Sequence, residues 1–157
     1  MANLAVNPPE WIDAAPIRVE RSIEIAAPPS LVWARIADHP TWPEWFTALD
    51  SVQVTGAASG VGGSRRVTAN RVAMDEEFTA WDPDEHFAFA VIATKLPILA
   101  AMAESVRLQP ADGSCRVTYV QGLAARRGFG RILDAIWRRQ GAPALDEALS
   151  NLKRLCE

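Results

Sequence analysis

The chain is poor in the residues from which most reactive sites are built. Its two cysteines, Cys115 and Cys156, show neither metal-ligand spacing nor a paired framework, so they read as ordinary thiols of a reducing compartment, and cytoplasm is the expected location. Of the two histidines, His39 precedes a proline and His86 sits in an acidic turn. Neither has a sequence-near Cys, His or carboxylate at metal or triad spacing. There is no nucleophile elbow, phosphate loop or dinucleotide fingerprint, so neither a metal nor a cofactor is expected. No stretch approaches 18 apolar residues, which excludes a helical membrane span, and the N-terminus lacks a basic region followed by an apolar run. The net charge of −3 is spread over both signs, leaving no global attraction to nucleic acid or anionic membranes. Internal repeats and low-complexity tracts are absent.

What is present fits one domain. A chain of 157 residues can build a core by packing alone. Residues 1–16 carry Pro8, Pro9 and Pro16 and read as a leader without periodic structure, outside the core. Trp11 and Ile12 qualify that, since the pair can fold back over an apolar opening or onto a partner chain, which leaves a homodimer open. From Ile17 to Ile25 apolar and polar residues alternate, which predicts a half-buried strand. Pro28 and Pro29 then favour a helix start, and Pro40 ends that helix. His39 to Phe46 reads as a second short helix. Strand-like runs follow near 50–55, 64–72, 73–81, 86–94, 99–108 and 115–122, with short turn-forming separators that favour antiparallel neighbours. No clean turn divides Val72 from Ala73. At about 100° per residue, Phe129, Ile132, Leu133, Ile136 and Trp137 share one face of a final amphipathic helix. Beyond Pro143 the apolar set rotates by roughly a third of a turn, which predicts a kink or break there.

Val32-Trp33, Asp38, Trp42-Pro43-Glu44-Trp45, Gly62-Gly63 and Trp81-Asp82-Pro83 together resemble the polyketide cyclase/dehydrase branch of the START-like (SRPBCC) superfamily. The resemblance covers about Ile17 to Glu157. It implies an α+β helix-grip fold: a curved antiparallel sheet of about seven strands around a long C-terminal helix, with two short helices after the first strand and a cavity between sheet and helix. That superfamily includes carriers of lipids, sterols or quinones, aromatases and cyclases of polyketide chains, and a few interaction proteins.

On that architecture, alternation places Met102, Glu104 and Val106 in phase on one strand and Val117, Tyr119 and Gln121 in phase on the next. Glu104 and Gln121 then face the cavity, unless the register is displaced by one residue and Glu104 is solvated. Arg65 and Arg71 fall on one strand face and Arg66 on the other. An inward guanidinium can stabilise an enolate or hold a carboxylate, whereas an outward one is ordinary. Trp42, Trp45 and Phe46 fall where the resemblance places the portal, and cavity rim and core packing are both open to them. Met74 joins the expected lining. Phe129, Leu133, Trp137 and Gln140 are the helix's contribution, with Gln140 bonding either a ligand or a backbone group freed at Gly141–Pro143.

The expected function is therefore binding of a hydrophobic or amphipathic small molecule (a lipid, isoprenoid or aromatic polyketide) in an internal cavity of a few hundred Å³. One alternative is a polyketide cyclase or dehydratase using Arg71, Glu104 or Tyr119 for proton transfer and enolate stabilisation. Against it, the chain reads Phe46-Thr47-Ala48-Leu49 where aromatase/cyclase relatives can offer a tyrosine. A second alternative is a protein-interaction domain working through Trp11, the portal tryptophans, or the basic run of Arg126, Arg127, Arg131, Arg138 and Arg139.

Overall fold

The alternation that begins at Ile17 runs through most of the chain, and hydrogen bonding turns it into one antiparallel sheet. The computed structural model describes residues 1–157. Its strands are β1 (Ala2–Asn3), β2 (Ile17–Ile25), β3 (Leu49–Val54), β4 (Ser64–Ala69), β5 (Val72–Asp82), β6 (His86–Thr94), β7 (Leu99–Ala111) and β8 (Ser114–Ala125). The seven main strands lie in the order β2-β8-β7-β6-β5-β4-β3, and β1 adds to β6. Six of the seven are in sequential order because short turns join antiparallel neighbours directly. The exception is β2, which pairs with β8. To pass from one sheet edge to the other, the chain uses helix α1 (Pro29–Ala37) and a 3₁₀ turn at His39–Glu44.

The inner face of the curled sheet grips the C-terminal helix. Leu145, Ala148, Leu149 and Leu152 of helix α3 (Ala142–Cys156) share one hydrophobic core with Phe78, Phe87, Val106 and Val117 of the sheet, and Trp33, Trp42 and Trp45 from α1 and the turn after it belong to the same core. The seven-stranded helix-grip architecture expected from the sequence is the one observed, but several local expectations need correction.

The leader is not outside the core. Ala2 and Asn3 pair with Thr94 and Ala93. A 3₁₀ turn at Pro9–Ala14 lays Ile12, 2% exposed, on Ala90 and Ala103 of the outer sheet face. Gly122 makes that approach possible, since a Cβ there would stand 2.9 Å from the Ala15 Cβ and 3.2 Å from Ile12. This is why β6 is buried on both faces: Phe87, Phe89 and Val91 look inward, while Ala88 and Ala90 are covered from outside.

The unresolved boundary near Val72 is a two-residue hairpin. Asn70 and Arg71 both adopt positive φ (47° and 67°) between Ala69 and Val72, the conformation that matches a tight turn to the twist of its strands. Arg71 is consequently a turn residue, its amide bonded to Asp50 Oδ2 at 2.9 Å, and it does not continue the alternation begun at Arg65.

The break expected at Pro143 is a π-helical turn at Trp137–Gly141, continuous with α2 (Gly130–Ile136) before it and α3 after it. The Ala142 amide donates to the Trp137 carbonyl, five residues back. One inserted residue rotates the following face by about 100°, which accounts for the shifted apolar set. Gly141 is needed at this point, because a Cβ would meet the Trp137 indole at 2.6 Å. Helix α2 rests on the sheet mainly through Leu133, which packs on Leu99, Met102 and Leu123. Phe129 and Ile132, expected in a buried stripe, are 41% and 52% exposed.

Because Ile12 is enclosed by the outer sheet face, Ile12→Ala is expected to destabilise the whole domain by about 2–5 kcal/mol, the cost of emptying a buried site of that size. Urea denaturation followed by tryptophan fluorescence measures it; a loss well under 1 kcal/mol would return residues 1–16 to the status of an accessory leader.

Candidate functional site

Between the inner sheet face and the π-helical turn lies a cavity of about 240 Å³, lined mostly by apolar side chains. Its exposed lining residues, Ala48, Asn70, Ile136 and Gln140, mark the open side. Its buried ones, among them Trp42, Phe89 and Tyr119, mark the closed end. Of the residues singled out from the sequence, Trp42, Phe46, Met74, Met102, Glu104, Tyr119, Gln121, Trp137 and Gln140 converge on this space. Four do not. Trp45 is wholly buried in the core, where its carbonyl accepts a bond from Asn151 Nδ2 at 3.1 Å. Arg71 is held at the hairpin, Phe129 is exposed, and Leu133 is sealed against the sheet below the helix.

The closed end is polar, and strand register assembles it. Gln121 stands opposite Glu104, Glu104 opposite Phe89, and Arg65 opposite Glu76. Since alternate residues of each strand share a face, all of these side chains point to the concave side. Arg65 Nε donates to Glu76 Oε2 at 2.6 Å, and both side chains are almost completely enclosed, at 1% and 5% exposure. The guanidinium lies over the Trp42 ring with Cζ 3.9 Å from its centroid, and 4.6 Å from that of Phe89. Such contacts favour a desolvated cation. Its neighbour Arg66 points outward and forms a two-bond pair with Asp75 at 2.6 and 2.9 Å.

Behind Arg65 stands His39. Nη1 of the arginine donates to His39 Nδ1 at 3.2 Å, while His39 Nε2 faces the Ala58 carbonyl at 2.9 Å. A carbonyl only accepts, so the ring proton sits on Nε2 and the imidazole is neutral. Burial, with the Arg65 charge adding to it, lowers the His39 pKa to about 4.

On the other side, Tyr119 Oη donates to Glu104 Oε2. Trp137 Nε1 donates to Gln121 Oε1 at 3.0 Å and ties the π-helical turn to the sheet. Burial, reinforced by nearby Glu76, pushes the Glu104 carboxyl up to about 7 against the pull of its bonds from Tyr119 and Gln121 and of Arg65. Burial of Tyr119 beside Glu104 raises the phenol well above its usual range. Burial also drives Glu76 upward, opposed by Arg65. A guanidinium does not give up its proton, so it requires one counter-charge, and Glu76, in direct contact, supplies it. The closed end thus holds one cation and two carboxyls, and below about pH 7 Glu104 carries a proton.

Arg65, Glu76 and His39 are the site residues that the sequence reading does not place in the site: it weighs Arg65 only as one of three arginines that could look inward, and His39 only for metal or triad spacing. The signal for two of them was there: Met74, Glu76 and Phe78 alternate in phase, and so do Arg65, Val67 and Ala69. No residue pattern near His39 announces its contact with a strand 26 positions away in sequence.

The fold and the lined cavity define the helix-grip, START-like class of proteins. Residues 16–157 match the family model described as "Polyketide cyclase / dehydrase and lipid transport", and the chain belongs to that family. It is 30% identical over 148 residues to the uncharacterized protein Rv2574 of Mycobacterium tuberculosis, covering 92% of this chain and 87% of that one. Among solved structures it is similar to the Zhui aromatase/cyclase from Streptomyces sp. R1128, with a TM-score of 0.71 and 19% identity over 87% of this chain and 93% of that one. A START superfamily protein from Mycobacterium smegmatis superposes with a TM-score of 0.70 and 11% identity, over 88% and 98% of the two chains. At these identities the structural likenesses speak for the fold alone.

The proton on Glu104 has a measurable consequence. Its native pKa of about 7 lies above the ordinary 4.5, so the native state binds more protons than the unfolded one between those values. Glu104 thereby costs nothing below about pH 4.5 and destabilises progressively up to about pH 7. Glu104→Gln never ionises. The stability of E104Q relative to wild type is expected to rise between about pH 4.5 and 7 by up to roughly 3 kcal/mol and then level off. Denaturation of both proteins across that range tests this; a difference independent of pH would place the proton elsewhere.

Proposed function

We propose that this protein binds one hydrophobic or amphipathic small molecule, such as an isoprenoid, a single-chain lipid or an aromatic polyketide, in the cavity between sheet and helix. The observation that carries the reading is an internal space lined by Trp42, Phe46 and Phe89 whose closed end gathers polar groups. Apolar walls with a few convergent polar groups are the usual composition of small-molecule sites. At about 240 Å³ the space lies just below the common range of about 300–1,000 Å³, which favours a compact ligand over a two-chain lipid. The family's description, which joins polyketide chemistry with lipid transport, fits this class of ligand.

A second reading, cyclase or dehydratase action on a bound poly-ketone, is favoured by one specific feature. Glu104 holds a proton close to neutrality and shares a hydrogen bond with Tyr119 inside the cavity, which suits a general acid acting on a carbonyl oxygen. Arg65, rather than Arg71, is the arginine within reach of such a substrate. If Glu104→Gln and Tyr119→Phe leave the conversion of every ketide tested unchanged, this reading falls.

Native mass spectrometry of the freshly purified protein, followed by solvent extraction, tests the binding reading. A single apolar species at near one-to-one stoichiometry is expected, and Ala144→Trp, which fills the cavity from the helix side, is expected to lose it while keeping a cooperative unfolding transition. A wild-type protein that neither carries nor takes up any apolar molecule would contradict it.

A further inference from the structure

We propose that the closed end of the cavity selects ligands with an uncharged oxygen-bearing head (a ketone, hydroxyl or phenol) and rejects carboxylates. The inference rests on the binding reading above and names the chemistry that the site accepts. It follows from the charges that line the cavity and from the bonds they already make.

One guanidinium and two carboxyls, Arg65, Glu76 and Glu104, are the ionisable groups at that end apart from the phenol of Tyr119. The guanidinium is already matched, because Glu76 holds its Nε edge at 2.6 Å. The histidine behind it is neutral and occupied with the Ala58 carbonyl. No uncompensated positive charge therefore awaits a ligand. An incoming carboxylate would put three carboxyl groups around one guanidinium in a space walled by Trp42 and Phe89, and a buried charge without its own partner is strongly disfavoured. An uncharged oxygen meets no such penalty. The bonds of Arg65 are made by Nε and Nη1, which leaves Nη2 to donate to a ketone or hydroxyl oxygen. The Glu104 carboxyl can donate to the same oxygen or accept from a hydroxyl. An arginine inside an apolar cavity would ordinarily suggest an anionic ligand; here its counter-ion is built into the neighbouring strand.

Matched pairs of probes separate the two chemistries: 2-acetylnaphthalene against 2-naphthoate, and 2-undecanone against decanoate, titrated by calorimetry about one pH unit below the Glu104 pKa of about 7. The wild-type protein is expected to bind the ketone of at least one pair about tenfold or more tightly than its carboxylate. The double variant Glu76→Gln/Glu104→Gln removes the counter-charge and the carboxyl that would take its place, both at constant shape, and it is expected to move the preference about tenfold or more toward the carboxylate. Should the double variant fail to fold, Glu104→Gln serves. Tyr119, Gln121, Glu76 and Arg65 still face that position, and the ketone preference is expected to persist and to stay constant as the pH passes 7, where that of wild type changes. Equal or tighter binding of the carboxylates by wild type, or an unchanged preference in the folded double variant, would overturn the proposal. If no member of either pair binds wild type saturably, this inference fails, while the binding reading stands or falls on the native mass spectrometry above.

Discussion

The arrangement of the cavity depends on one constraint: a guanidinium enclosed by aromatic rings must have a counter-charge and hydrogen-bond acceptors within reach. Arg65 obtains its counter-charge from Glu76 on the next strand, its second acceptor from the neutral ring of His39, and a polarisable floor from Trp42. Glu76 lies on β5, while His39 and Trp42 both belong to the turn that follows α1, so the cation draws together β4, β5 and that turn. The cost of breaking such a pair by removing one partner is of the order of 3–5 kcal/mol, and the pair belongs to the observed register between β4 and β5, in which Arg65 stands opposite Glu76. The second carboxyl, Glu104, then has no unmatched cation to neutralise it and keeps its proton up to about pH 7.

The C-terminal helix answers a different requirement. A regular helix would carry one apolar face along its whole length, yet the end beyond Gly141 must pack into the core while the end before it spans the cavity. The π-helical turn at Trp137–Gly141 reconciles the two by rotating the face between them. It also brings Trp137 across the backbone at Gly141, where only a residue without Cβ leaves room, and lets the indole reach Gln121. The helix is thereby fastened to the polar end of the cavity through the chain Trp137, Gln121, Glu104 and Tyr119. Buried polar chains of this kind fix geometry only if each member is satisfied, and each of these four has a partner.

The fold was largely legible in the sequence because its signals are local. Alternation marks the strands, prolines delimit α1, and the family motif at Trp42–Trp45 with Trp81-Asp82-Pro83 names the architecture. The same alternation gave the inward set Glu104, Tyr119 and Gln121, since both strands are long enough for parity to survive. Parity failed at Arg71, where a hairpin of two positive-φ residues interrupts the count and an asparagine was its only herald. It also failed to distinguish Arg65 as the inward cation, because nothing along one strand reports which acidic residue on the next will face it. Phe129 and Ile132 were misplaced for another reason: amphipathicity shows that a helix has an apolar face, not that there is protein beneath all of it. The leader's burial was hidden because its partner surface, Ala90, Ala103 and Gly122, is recognisable only as an absence of bulk on the outer sheet face.

The central claim is that two buried carboxyls around one guanidinium share a single proton, which resides on Glu104. Carbon-13 NMR of the glutamate side-chain carboxyls, with Glu76 and Glu104 assigned by substitution to glutamine, follows each through its titration. The account predicts that the Glu104 resonance shifts with a midpoint near the value of about 7, while Glu76 is ionised throughout that transition. Two carboxyls already ionised well below neutrality, or Glu76 as the group that titrates near 7, would contradict it.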